Sequence, residues 1–438
     1  ITVPVRLKAA PHYLNNHRQF VHVYEGQVSL HDPGEYRVDA RVEWRHAQWN
    51  CEPPLEFVKS PETVLLNGSS IAKSGVGTPP VVTVERDDQR LLPLDRYFEL
   101  PLCTTMDEPG RWVPTSALPR SPRGQTDDNA GGLDGFYSLP PVAEDGRVFV
   151  PYRCRYRTVT YKEFVTTSHD QFPVIHWFGD SNSRRAMRMF QTGGAYCANE
   201  RDQRERIDCL CNDYPKDLYE DNVYNKGPTP HLYRVYADGI DSREVVEPDF
   251  VDDRHKRDSF VHIYYRFTKG ITNEAGAYWR EAINADSLRK YPAPSIVIYQ
   301  GTTWDVYLKR FDEFTREVDD LISALQTVYA KDTLFIYRTG QFWCCRPYGL
   351  TDESKRFTRL RFQAYNEYMQ YQFVRRLNAT VWDVMHLGET RHPETKRSPT
   401  NLPCLSGHSR SELVMLENQL LMNTLCNQQL HRHSRSVV

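Results

Sequence analysis

The 438 residues set a prior of two or three domains and suffice to bury a sizeable core. Lys and Arg number 55 against 57 Asp and Glu, a net charge of −2, so no global positive field exists to draw nucleic acid. No uninterrupted apolar run approaches the roughly 18–20 residues that span a bilayer. Collagen, coiled coil and wholesale disorder are excluded because apolar and aromatic residues run through the whole length.

From about Arg18 to Val84 the chain reads as strands. His22-Val23-Tyr24 and Gln27-Val28-Ser29-Leu30 lead to a turn signal at Asp32-Pro33-Gly34. Tyr36 to Trp44 then alternates apolar and polar over nine residues, the period of a half-buried antiparallel strand. With no helix-period stretch between, a small β-sandwich over residues 1–100 is the expectation. Residues 101–153 read as loop-rich, and the polar, Gly- and Pro-punctuated run Arg120 to Gly132 reads as an exposed loop.

After about residue 170 strands and helices alternate. Val174 to Phe178, Phe260 to Tyr265, Ile296 to Tyr299, Leu334 to Tyr337 and Ala379 to Trp382 are short apolar runs. Helical stretches follow or lie between them: Arg184 to Gln191, a long amphipathic helix marked by Phe314, Val318, Leu321, Ile322, Leu325 and Val328, one from about Leu360 to Leu377, and one carrying Leu413, Leu416, Leu420, Leu421 and Leu425. Apolar strands alternating with helices predict an α/β domain with a mostly parallel sheet over residues 101–438. Ligands of such sheets sit beyond the carboxyl ends of the strands.

Ten cysteines stand at 51, 103, 154, 197, 209, 211, 344, 345, 404 and 426, without the paired spacing of a zinc site. Their even number suggests long-range disulfides, with buried thiols as the alternative, and the adjacent Cys344 and Cys345 are expected to take different partners. Asn67-Gly68-Ser69 and Asn378-Ala379-Thr380 are acceptor triplets for N-glycosylation. Together these favour a secreted protein or the lumenal part of a secretory-pathway enzyme. The first residue is Ile1, so a signal peptide or membrane anchor is a possible missing segment.

Gly179-Asp180-Ser181 ends the first of the apolar strands and begins a helix. A Ser there lies among free backbone N–H groups and the positive end of the helix dipole, which suits a nucleophile whose attack creates an oxyanion. The alternative is that Asp180 or Ser181 is only the helix cap. After the last strand, Asp383 stands three residues before His386, close enough to orient the imidazole as the base that a serine needs. His392 and His408 compete for that role, and a metal site using His386, Glu389 and His392 is disfavoured by Pro393, which does not suit a zinc-binding helix. Gly301 ends another strand in Gly301-Thr302-Thr303-Trp304, a place for a backbone N–H beside an oxyanion, or a plain turn. Arg184, Trp304 and Arg338 are further candidates for substrate contact; Arg338 could bind an anionic sugar or brace the site by an ion pair, and bracing is the favoured reading.

The order Gly-Asp-Ser followed much later by Asp-x-x-His resembles the SGNH/GDSL hydrolase-like group. Gly110-Arg111-Trp112-Val113, Pro151-Tyr152-Arg153-Cys154 and Arg338-Thr339 narrow the resemblance to its PC-esterase branch, which contains the plant trichome-birefringence-like proteins and fungal polysaccharide O-acetyltransferases. The likeness runs from about residue 103 to 426. The N-terminal region resembles the immunoglobulin- or filamin-like sandwich that precedes this domain in some animal relatives. The resemblance implies a three-layer α/β sandwich with Ser181 as nucleophile, His386 as base and Asp383 orienting it. The backbones of Ser181 and Gly301 would lie in the oxyanion hole. The usual Asn donor of the third block is missing, and Thr303 is the candidate in its place. The implied activity is transfer of an acetyl group to a polysaccharide or glycan. Hydrolysis by the same triad and an inactive glycan-binding protein are the alternatives. No cofactor is called for, because the acetyl donor is a co-substrate. The expected partner is a glycan, with no nucleic acid, and membrane only through an anchor outside this sequence.

Overall fold

The computed structural model describes residues 6–14, 19–25, 34–37, 40–41, 44–45, 56–57, 63–67, 70–72, 81–84, 94–119, 142–143, 146–191, 193, 231–236, 243–244, 259–268, 270–271, 278–341, 359–389 and 411–436. The chain divides into two compact units, Ile1–Leu91 with Thr358–Leu360, and Leu92–Phe357 with Arg361–Val438.

All described pairings of the first unit are antiparallel. Strand β1 (Arg6–Leu14) pairs with β2 (Gln19–Glu25), β3 (Gly34–Arg37) with β9 (Val81–Val84), and β5 (Trp44–Arg45) with β6 (Glu56–Phe57). Strand β4 (Ala40–Arg41) pairs with β7 (Thr63–Asn67), which also holds β8 (Ser70–Ala72). The alternating stretch from Tyr36 to Trp44 is therefore shared among β3, β4 and β5, each with its own partner, where the alternation alone predicts one strand. Gln27 to Leu30 and the acceptor triplet's Gly68 and Ser69 lie outside the described residues.

Among the described residues the second unit is built on a seven-stranded sheet. Its parallel part comprises β12 (Val174–Gly179), β15 (Phe260–Phe267), β16 (Ile296–Tyr299), β17 (Leu334–Arg338) and β18 (Thr380–Trp382). Counted along the chain, these five strands stand in the order 2-1-3-4-5. The hairpin of β13 (His231–Tyr236) and β14 (Arg243–Glu244) adds antiparallel to β15, which makes the sheet mixed but mostly parallel.

Alternate side chains of each strand point to opposite faces, and both faces are apolar. Ile175, Trp177, Ile263, Ile298 and Ile336 enter one core, together with side chains of α1 (Tyr161–Gln171), α2 (Ser181–Gln191) and α9 (Ser411–Ser436). Phe178, Tyr264, Val297, Tyr299 and Tyr337 enter the other. There they meet α3 (Tyr278–Ala282), α4 (Ala285–Leu288), α5 (Asp305–Leu308), α6 (Phe311–Val328) and α7 (Arg359–Leu377). The buried residues of α6 recur at Phe314, Val318, Leu321, Ile322 and Leu325, one helical face. Helices on both sides of a mostly parallel sheet give the three layers expected of the domain.

The loop-rich reading of residues 101–153 misses a strand pair. Strand β10 (Gly110–Pro114) runs antiparallel to β11 (Arg147–Pro151), and Cys103 is joined to Cys154 by a disulfide just beyond them. Cys426 is a buried thiol, and the other cysteines lie outside the described residues, as does the run from Arg120 to Gly132.

Helix α9 is buried on nearly every side between Leu413 and Asn427, polar residues included. Those polar groups hold an extended segment of backbone. Gln419 accepts from the Val159 N–H at 2.9 Å and donates to the Val159 carbonyl at 2.8 Å. One turn on, Asn423 does the same for Arg157, at 3.0 and 2.8 Å. One turn further, Asn427 accepts from Arg157 Nε at 3.0 Å and donates to the Cys103 carbonyl at 2.8 Å. Side chains at i, i+4 and i+8 share one helical face, so a single ladder of amides pins the stretch beside the disulfide.

Two buried histidines give the unit a pH dependence. On β12, His176 Nε2 donates to the Pro292 carbonyl at 3.0 Å and Nδ1 accepts from the Tyr329 hydroxyl at 3.0 Å, an arrangement that uses the neutral ring. Burial lowers His176 from 6.5 to about 4. His262 is lowered to about 4 by burial and by the nearby Arg234 charge. Between about pH 6.5 and pH 4 the unfolded chain binds these protons and the folded chain does not, so stability falls as pH falls through that window. Each histidine contributes on the order of 3 kcal/mol of that loss at most. Urea midpoints at pH 7.5 and pH 5 are expected to differ less in the His176→Gln, His262→Gln protein than in the parent; an unchanged difference would reject the assignment.

Candidate functional site

In a 2-1-3-4-5 sheet the chain leaves the first strand toward one side, then returns to build the other side. The crevice beyond the carboxyl ends of strands one and three is the natural binding place. Here these strands are β12 and β16, and their exits carry Asp180-Ser181 and Gln300-Gly301-Thr302-Thr303.

Asp180 caps α2. Its Oδ1 accepts from the Asn182 N–H at 2.8 Å and the Ser183 N–H at 3.4 Å. The cap role weighed for either Asp180 or Ser181 thus falls to Asp180, and Ser181 is the first residue of the helix, half-buried at its positive end. Gly179 is required by space: a Cβ there would stand 2.3 Å from Ser183 Oγ.

Asp383 and His386 follow β18, His386 within the short helix α8 (Met385–Glu389). His386 Nδ1 lies 3.2 Å from Asp383 Oδ2. The other carboxylate oxygen accepts from the Thr339 hydroxyl at 3.0 Å and the Met385 N–H at 3.1 Å. Thr339 Oγ1 in turn accepts from the N–H groups of Val384 and Met385, at 2.9 and 3.0 Å. Burial alone pushes the Asp383 carboxyl up; the His386 charge and the hydrogen bonds from His386, Thr339 and Met385 outweigh it and hold the group below its ordinary range. An ionised Asp383 facing Nδ1 selects the tautomer with the proton on that nitrogen, which leaves the lone pair on Nε2.

The His386 ring also packs on Phe149 at 5.4 Å between centroids, and Phe149 on Trp112 at 5.7 Å. Gly110 makes room for this wall, since a Cβ there would come within 2.6 Å of the Phe149 ring. The Gly110-Arg111-Trp112-Val113 stretch is thus placed beside His386. Phe149 escaped the sequence reading, because an apolar residue in a presumed loop carries no signal of its own.

Between the two ends the rim is continuous. Gln300 Nε2 donates to Asp180 Oδ2 and to Thr303 Oγ1, both at 3.1 Å, and the Ser183 hydroxyl donates to Gln300 Oε1. Thr302 stands at φ 77°, left-handed backbone that a β-branched residue adopts only under strain. The Thr303 N–H closes a three-residue turn onto the Gly301 carbonyl at 3.1 Å. Asp305 accepts from the N–H of Thr302 at 2.9 Å and of Ile271 at 3.0 Å. Asn366 Oδ1 accepts from Thr302 Oγ1 at 2.8 Å, from the Tyr337 hydroxyl at 2.9 Å and from the Gly340 N–H at 2.9 Å. Gly340 directly follows Thr339, so contacts run without a break from Asp180 to Asp383.

The remaining candidates separate. Gly301 is buried with Ile271 and Met369 against it, and Thr303 is 6% exposed. Trp304 is half-buried just before α5. Arg184 is buried with its guanidinium 4.9 Å from the Phe267 ring centre. Arg338 is fully buried, 2.7 Å from Glu417 and 5.3 Å from the Trp382 ring. Of its two sequence-level roles, the ion pair is the one present, and a side chain without exposed surface offers nothing to a sugar. On the rim Gly270, missed in the sequence, adopts φ 84° after β15, against the Asp305 carboxylate. His392 and His408 lie outside the described residues. Among the described residues no group of three His, Cys, Asp or Glu gathers to hold a metal.

No protein-family model matches the chain, and no curated protein matches it. Among solved structures, one similar chain is that of LAE5, an alpha/beta hydrolase enzyme from the metagenome of Lake Arreo, Spain. It shows 12% identity, a TM-score of 0.27, and coverage of 58% of this chain and 96% of that one. A likeness that slight carries no argument about chemistry.

The bracing role of Arg338 has a measurable signature. Removing one member of a buried pair strands the other charge and costs about 3–5 kcal/mol, whereas replacing both by apolar residues is often nearly neutral. Glu417→Leu is expected to lower the urea midpoint strongly and Arg338→Met, Glu417→Leu to restore most of it. A double variant as unstable as the single one would contradict this.

Proposed function

We propose that the chain is a serine-dependent acyl-transfer enzyme acting on O-acetyl groups of carbohydrate. The observation that carries the reading is the 3.2 Å pair of Asp383 and His386, fixed by Thr339 on the same sheet rim as Ser181. In the first step Ser181 Oγ attacks the acetyl carbonyl carbon, its proton passes to His386 Nε2, and the carbonyl electrons move to oxygen. Collapse of that intermediate expels the donor's alcohol, which takes the proton from His386. A sugar hydroxyl then attacks the acetyl-serine, giving its proton to His386, and leaves acetylated as Ser181 regains a proton. Water in place of the sugar gives free acetate by the same steps.

The resemblance to the PC-esterase branch, carried by Gly179-Asp180-Ser181, Asp383-x-x-His386 and the flanking motifs, favours transfer to a polysaccharide or glycan. No resident cofactor enters this scheme; the acetyl donor is a second substrate. The Cys103–Cys154 disulfide and the exposed Asn378 of an acceptor triplet support placement in the secretory pathway. Among the described residues no helix is long and apolar enough to cross a membrane.

Incubation with a chromogenic acetyl ester, and with a labelled acetyl donor plus unacetylated glycans, tests the scheme. Ser181→Ala is expected to abolish turnover in a folded protein, and Asp383→Asn to lower kcat by about 10⁴-fold, since an amide holds the wrong tautomer. Label on the glycan establishes transfer and label in free acetate hydrolysis. Full activity in Ser181→Ala would remove the nucleophile.

A further inference from the structure

The third-block Asn donor of the resembled group is absent, and Thr303 is the candidate in its place. A hydroxyl both donates and accepts, so its use as a donor depends on what its oxygen already holds. Among the described residues Thr303 Oγ1 has one partner, the side-chain amide of Gln300. The orientation of that amide is settled by its other neighbours. Asp180 is a carboxylate that caps α2 through Oδ1 and meets Gln300 through Oδ2. It can only accept, so the NH₂ end of Gln300 must face it, and the carbonyl end is left to receive the Ser183 hydroxyl. The same NH₂ group's second hydrogen then goes to Thr303. Thr303 therefore accepts from Gln300, and its own proton is turned away from the amide.

We propose that Gln300 is a positioning residue that makes the Thr303 hydroxyl a donor to the carbonyl oxygen under attack, so that the pair supplies what the missing Asn would. This rests on Ser181 acting as the nucleophile. No proton leaves Thr303; the hydrogen bond strengthens as the carbonyl oxygen gains charge and relaxes when the intermediate collapses. Gln300 bridges the residue before Ser181 to the exit of the neighbouring strand, and its backbone N–H continues the β12–β16 ladder to the Phe178 carbonyl at 2.9 Å.

The test measures kcat and KM of the full chain with a chromogenic acetyl ester. Thr303→Val, nearly the same shape without the hydroxyl, is expected to lower kcat by about 10²-fold with KM little changed. Thr303→Ser, which keeps the hydroxyl, is expected to recover most of that loss. Gln300→Leu should lower kcat, and should have no further effect when Val already stands at 303, because its action passes through that hydroxyl. Should Gln300→Leu not fold, Gln300→Met takes its place in the same pairing with Thr303→Val. Thr303→Val turning over like the parent, while Ser181→Ala is inactive, would overturn this inference and leave the nucleophile standing. Losses at 300 and 303 that multiply would overturn the positioning role. Ser181→Ala turning over like the parent would overturn both readings together.

Discussion

A parallel sheet covered by helices on both faces leaves its polar side chains little choice of position. On β12, β15, β16 and β17 most side chains enter one apolar core or the other, with the buried His176, His262 and Arg266 standing among them. Unpaired polar groups cannot stay there without a large desolvation penalty. Most buried polar residues of the sheet therefore gather where the strands stop. The parallel arrangement puts those stops on one rim, in the order 2-1-3-4-5. Asp180, Gln300, Thr302, Thr303, Arg338 and Thr339 are all buried and all stand at strand ends. Their burial makes hydrogen bonding obligatory, and that obligation turns a row of strand exits into a connected network. Asp383, bonded by Thr339, and Ser181, next to Asp180, lie at the two ends of that network.

Beneath the rim the same demand is met differently. Helix α9 carries Glu417, Asn418, Gln419, Asn423 and Asn427 in a fully enclosed position. Their partners are mostly backbone groups of a segment with no sheet to satisfy it. An extended strip paired by side-chain amides behaves as a strand whose neighbour is a helix. Glu417 faces the other way, toward Arg338 and Gln341 at the exit of β17. Burial pushes the Glu417 carboxyl up against the opposing influence of Arg338. The helix thus ties the disulfide-linked segment near Cys103 and Cys154 to the strand exit from which Thr339 reaches Asp383.

The five parallel strands and their helices were legible because apolar runs of strand length alternate with longer periodic stretches. Ser181, Asp383 and His386 stood out because each follows such a run. The hairpin β13–β14 was not legible: His231 to Tyr236 mixes Arg and His with apolar residues and pairs at the sheet edge. Strand β10 was hidden by glycine and proline at its ends, and its role emerges only when Phe149 is seen between Trp112 and His386. The functions of Gln300 and Asn366 had no signature at all. An amide before a glycine, or within a helix rich in Arg and Tyr, has no local meaning; its partners lie 120 residues away at Asp180 and 64 at Thr302.

Thr302 shows most directly how the rim is held. Left-handed backbone would suit glycine, yet a β-branched residue stands there at φ 77°, a conformation that costs on the order of 1–3 kcal/mol. Glycine would remove the strain but also the hydroxyl that bonds Asn366, which binds Gly340 and the Tyr337 hydroxyl as well. Gly340 in turn comes so close that a Cβ on it would meet Thr302 Oγ1 at 2.3 Å. The strained turn is therefore fixed to the neighbouring strand exit by a side chain, and a freer residue would lose that attachment. A turn held this way keeps Thr303 in one place relative to Thr339, and through Thr339 relative to Asp383. Strain at this position is what geometric constancy across three strand ends requires.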